Sequence, residues 1–94
     1  MGSKVYPGWR NDWVFRTIRK NMKIGKFEIM ISTLPHRERP VAEIYYNNMY
    51  WIQIDQETEN LIIHFYSHPS EKCWDFHFNE ALEVIEKAKI KLLF

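Results

Sequence analysis

Ninety-four residues suffice for one domain whose core folds without staples, and the lone Cys73 excludes an internal disulfide. No apolar run approaches the ~18 residues of a membrane span and no signal peptide is recognisable, which points to a cytoplasmic protein. The net charge of +1 hides a split: residues 1–26 carry seven bases and one acid (+6), residues 27–94 six bases and eleven acids (−5). The chain is a basic head on an acidic body, and the two halves either attract each other or attract different partners.

Residues 1–10 read as a loose lead-in and residues 11–94 as the globular part of a single domain. Asn11 can cap a helix from about Asp12 to Met22, with Val14, Ile18 and Met22 on one stripe, although Trp13-Val14-Phe15 also suits a strand. Gly25 ends this element. Lys26–Thr33, KFEIMIST, alternates Phe27, Ile29 and Ile31 against Glu28, Met30 and Ser32 and predicts a strand. Leu34–Pro40, LPHRERP, is a polar loop. Val41–Asp55, VAEIYYNNMYWIQID, predicts two strands joined by a two-residue turn at Asn47-Asn48, because Asn tolerates the positive φ such a turn needs. Alternation places Ala42, Ile44, Tyr46, Tyr50, Ile52 and Ile54 on a core face. It places Glu43, Tyr45, Trp51 and Gln53 on the other, half aromatic and half polar, as suits a recognition face.

Gln56–Asn60 is a second turn, in which Glu57 and Glu59 look solvated. Leu61–Tyr66 predicts the next strand, with Leu61, Ile63 and Phe65 inward and Ile62, His64 and Tyr66 outward. Ser67–Lys72 is a loop and Cys73–Phe76 a short strand. Asn79 can cap a final helix with Ala81, Leu82, Ile85, Ala88 and Leu92 as its buried stripe, Glu80 and Glu83 near its start and Lys87, Lys89 and Lys91 near its end. The fold class is therefore α+β: an antiparallel meander sheet of four to five strands packed by the C-terminal helix and by an N-terminal helix. Two outcomes stay open for the recognition face: free surface, or a second core layer under the N-terminal helix.

The residues that could carry chemistry favour bland explanations. His64, His68, Cys73 and His77 are metal-ligand types, but H-x3-H-x4-C-x3-H lacks the paired short spacings of structural zinc sites. Nothing marks a base and oxyanion site around Cys73, and the three glycines form no phosphate cradle. The expectation is a protein with no catalytic, cofactor or metal site. The basic head with Trp9, Trp13 and Phe15 could grip nucleic acid, and a small nucleic-acid-associated protein is the runner-up function. The acidic body and the missing RNA- and DNA-binding signatures make a solvated face the favoured account of those bases.

VAEIYY, a short turn, a strand ending Trp51-Ile52-Gln53-Ile54, then LIIHFYSHPSEKCWDF and an acidic-to-basic helix resemble small bacterial immunity proteins encoded beside polymorphic or contact-dependent growth inhibition toxins. The likeness spans roughly residues 26 to 92. It implies a non-enzymatic cytoplasmic protein that binds and neutralises one cognate toxin domain, with nucleases, whose clefts are basic, the leading class. The resemblance transfers no functional residue. From strand alternation alone, the expected contacts are Glu43, Tyr45, Trp51, Gln53, His64 and Tyr66, with Asp55, Glu57 and Glu59 at the rim. If Trp51 is buried, the docking surface moves to the loops at Leu34–Pro40 and Ser67–Lys72.

Overall fold

The computed structural model describes residues 17–94. Five strands, β1 (Thr17–Ile24), β2 (Phe27–Thr33), β3 (Val41–Tyr46), β4 (Met49–Asp55) and β5 (Ile62–Phe65), precede one helix, α1 (Phe78–Leu93). The strands form a single antiparallel sheet in the order β1-β2-β3-β4-β5, an α+β meander as expected. Its turns follow from residue chemistry. Gly25 takes φ 57° between β1 and β2, and Asn47 and Asn48 take φ 51° and 66° between β3 and β4. Two successive positive φ values define the turn whose twist matches that of a hairpin. Asn47→Ala is expected to cost about 1 kcal/mol, the penalty of a Cβ in left-handed backbone. Asn48→Gly should cost nothing; paired chemical-denaturation curves check both.

Residues expected in an N-terminal helix divide. Those before Thr17, including Asp12 and the lead-in at residues 1–10, lie outside the described residues. Thr17–Met22 belong to β1 instead of a helix. Ile24 faces Phe27 across the Gly25 turn and Met22 faces Ile29, so pairing with β2 outweighs the helical spacing of Ile18 and Met22.

One sheet face carries the main core: Phe27, Ile29, Ile31, Ala42, Ile44, Ile52 and Ile54 pack beneath Val84, Ala88 and Leu92 of α1. The helix lies over β2 and β3. Strong helix formers fill it, and Glu83–Lys87 and Glu86–Lys89 pair along its exposed side at 3.4 and 3.1 Å. It starts before Asn79: His77 is the N-cap, and its carbonyl accepts the Ala81 N–H. The buried stripe is Val84, Ala88 and Leu92 with Ala81 and Ile85 beside it, whereas Leu82 is half exposed. The glutamates Glu80 and Glu83 line a hollow with Ile24, Lys26, Phe27 and Tyr46 near the β1–β2 turn. The opposite flank of the helix, with Phe78, Leu82 and Ile85, is turned to the β5 side of the sheet, while α1 itself lies over β2 and β3. Cys73–Phe76 is irregular, not a strand. Trp74 is fixed by its Nε1–H to the Tyr66 carbonyl (2.8 Å), and Trp74 and Phe76 stack on each other at 5.6 Å and pack on the core. Among the described residues no helix is long and apolar enough to cross a membrane.

Candidate functional site

A β-bulge decides where the expected contact residues go. Tyr45 pairs with Tyr50 but Ile44 pairs with Ile52, so Trp51 is the extra residue on β4. The bulge turns Trp51 into the helix-side core, where its ring lies 4.5 Å from Phe76, 5.7 Å from Phe27 and 6.4 Å from Trp74. It turns Tyr50 to the second face, stacked on Tyr45 at 4.9 Å with Tyr66 at 4.7 Å. Both outcomes invert the alternation read from the sequence. The signal for the bulge was present. A two-residue turn pairs Tyr46 with Met49 and, without a bulge, would set Ile44 against Trp51 and Ile52 against Glu43. One extra residue restores Ile44–Ile52 and Ala42–Ile54, which keeps isoleucine out of the polar row.

The second face is buried as well. Tyr45 and Gln53 are 0 % exposed, Glu43 1 % and Asp55 3 %, and Trp51 on the helix side is 6 % exposed. These five expected contacts are thus interior residues in the free protein, which corrects their assignment to a docking face. Glu57, His64 and Tyr66 are half-buried, and Glu59 is exposed.

The buried polar residues Ser32, Glu43, Gln53 and Asp55 are engaged, whereas among the described residues the buried Nε of Arg37 has no hydrogen-bond partner. Ser32 Oγ–H donates to Glu43 Oε1 at 2.9 Å, and Gln53 Nε2–H donates to the Tyr50 hydroxyl at 2.9 Å. Gln53 Oε1 accepts from Arg37 Nη2 at 3.0 Å. Asp55 Oδ2 lies 2.5 Å from His64 Nε2 and 3.5 Å from Arg37 Nη1, and its Oδ1 accepts the Glu57 N–H at 3.3 Å. Arg37 thus reaches from the Leu34–Pro40 loop to the end of β4, and Asp55 bridges β4 to β5. Glu57 completes the attachment: its two carboxylate oxygens accept the backbone N–H groups of Glu38 and Arg39 at 3.2 and 3.0 Å. Gln56 Nε2–H donates to the Pro40 carbonyl at 3.0 Å. The loop and the Gln56–Asn60 turn are stapled into one surface, a role for Glu57 that its solvated appearance in the sequence concealed.

Burial pushes the Asp55 carboxyl up. The hydrogen bonds from His64 and from the Glu57 N–H, with the charges of Arg37 and His64, outweigh it and hold the group below the usual carboxylate range. A carboxylate depressed on folding stabilises the native state above its unfolded pKa of about 3.9, and that stability drains away as pH falls through the folded value. Asp55→Asn should therefore flatten the loss of stability below about pH 4. Denaturant midpoints from pH 7 to pH 2 that fall equally for wild type and variant would sink this assignment.

The buried carboxylate against a half-exposed imidazole is a contact that general-base chemistry also uses. Here Arg37 shares the carboxylate, and the trio works as a strut between loop, β4 and β5. The other residues of metal-ligand type are dispersed. His68 Nδ1 accepts the N–H groups of Ser70 and Glu71 and its ring packs on Trp74 at 4.6 Å, while Cys73 Sγ lies 3.8 Å from Asp75. Among the described residues no group of three or more His, Cys, Asp or Glu could hold a metal ion. No family model, no curated protein and no solved structure matches this chain.

Proposed function

We propose that this chain is a non-enzymatic cytoplasmic protein that neutralises a cognate toxin domain, docking it on the surface made by Leu34–Pro40 and Gln56–Asn60. The observation that carries the reading is the Glu57 clamp on Glu38 and Arg39. Loops ordered before association lose little conformational entropy on binding, which favours tight one-to-one complexes. The exposed carboxylates of Glu38 and Glu59 stand on this surface, in the part of the chain that carries −5. They would steer a basic partner, and a nuclease cleft is basic. His64, held on Asp55, sits beside this surface, whereas Tyr66 lies toward the other end of β4, packed on Tyr50.

The test is co-expression with each toxic domain that a neighbouring gene encodes, followed by binding kinetics on the purified pair. Growth is expected to be rescued, and Glu38→Arg with Glu59→Arg should slow association about tenfold or more at low salt with little change in dissociation. Failure of the wild type to rescue growth removes the function. Unchanged association of the double variant removes the surface.

A further inference from the structure

We infer that the outer edge of β5 is the interface of a homodimer, in which two copies pair their β5 strands antiparallel about a two-fold axis at Ile63. The first observation is an asymmetry between the two sheet edges. Natural sheets blunt an open edge with charge, proline or irregularity. β1 has such devices: Arg19, Lys20 and Lys23 lie along it, and its register shifts between Ile18 and Lys20. β5, Ile-Ile-His-Phe, has no Lys, Arg, Asp, Glu or Pro and pairs in unbroken register with β4. Among the described residues it pairs with no other strand.

The second observation is apolar exposure on the same edge. Leu61, Ile62 and Ile63 are 36, 41 and 40 % exposed and Phe65 is 64 % exposed. Ile63 and Phe65 pair with Ile54 and Ile52, so they lie on the helix side of the sheet, but α1 sits over β2 and β3 and leaves them uncovered. The flank of α1 turned to the β5 side of the sheet adds Phe78 and Leu82, 75 and 50 % exposed. Together these side chains present on the order of 600 Å² of apolar surface, at about 200 Å² for each fully exposed one. A stable interface buries about 800 Å² per copy, so these apolar side chains approach that area before any polar rim is counted.

The backbone selects the register. Tyr66 N–H bonds to the Trp51 carbonyl, so by alternation Tyr66, His64 and Ile62 turn their amides toward β4. Leu61, Ile63 and Phe65 turn theirs outward. A two-fold at Ile63 sets Ile63 against its own copy and Leu61 against Phe65, which satisfies about six outward N–H and C=O groups. The helix side then reads apolar on apolar throughout. On the other side Ile62 meets His64, whereas an axis at His64 would place two imidazoles face to face.

Sedimentation of the full chain at micromolar concentration should give about twice the 11.5 kDa of one copy. Ile63→Lys should sediment as a folded monomer, and Ile18→Lys on the opposite edge as a dimer. In a Cys73→Ser background, Ile63→Cys should oxidise to a covalent dimer, because paired Cα atoms about 5.5 Å apart fit a disulfide. His64→Cys should not. A wild type that stays monomeric to about 100 µM, or an Ile63→Lys variant that stays dimeric, overturns the dimer; monomers throughout would hand this edge to another protein's strand. Crosslinking through residue 64 instead of 63 overturns the register.

Discussion

Trp51→Ala is expected to lower the unfolding free energy by about 3–5 kcal/mol, the usual cost of truncating a buried large aromatic. The ring is 6 % exposed and is boxed by Phe27, Phe76 and Trp74. Its loss opens a cavity between β4 and the Cys73–Phe76 segment, which β-sheet pairing does not hold in place. For a domain of this size each kcal/mol moves the midpoint by roughly 4–8 °C, so a fall of about 12–40 °C should follow. Trp51→Phe should recover part of it by refilling the volume. Chemical denaturation and a thermal scan read both. A Trp51→Ala variant within about 1 kcal/mol of wild type would mean that the bulge does not deliver this residue to the core.

Val84→Asp should be at least as damaging, about 4 kcal/mol or more, and leaves little folded protein if total stability is ordinary. Val84 is 0 % exposed in the cluster with Ile29, Ile44 and Ile52, and a carboxylate there has neither water nor a cation. Ile90→Asp, the same chemistry on the same helix, should cost about 1 kcal/mol or less, because Ile90 is 49 % exposed. Circular dichroism under a urea gradient separates the two. Equal losses would show that the helix is rotated from the orientation described.

Much of the architecture was legible. The Asn47-Asn48 turn, the alternation of β2 and the charge gradient of α1 each have a local cause, and local causes survive in the final fold. What misled was phase. The single residue inserted at Trp51 leaves composition untouched yet exchanges the destinations of Tyr50 and Trp51. In α1, Leu82 is as apolar as Val84 and only two positions away, so the pattern alone does not fix which row meets the sheet. Thr17–Met22 shows the complementary failure: helical spacing was real, but the neighbouring strand was the stronger partner. The stapling of the Leu34–Pro40 loop to the Gln56–Asn60 turn was the least legible, because Glu57 and Arg37 act through contacts across 16 to 19 residues that no spacing announces.

The strand order has a consequence for kinetics. Each strand pairs with the one before it in the chain, so the sheet closes through short loops, with β3 and β4 separated by two residues. Closing short loops costs little entropy, and search time grows with the sequence separation of the contacts that must be found. The β1–β2 turn is as short, but β1 is mostly exposed and β3 and β4 are buried, so the β3–β4 hairpin is the natural nucleus, with β2 and β5 adding on either side and α1 docking late over β2 and β3. Substitutions near the Asn47-Asn48 turn should slow folding, whereas those in α1 should chiefly hasten unfolding.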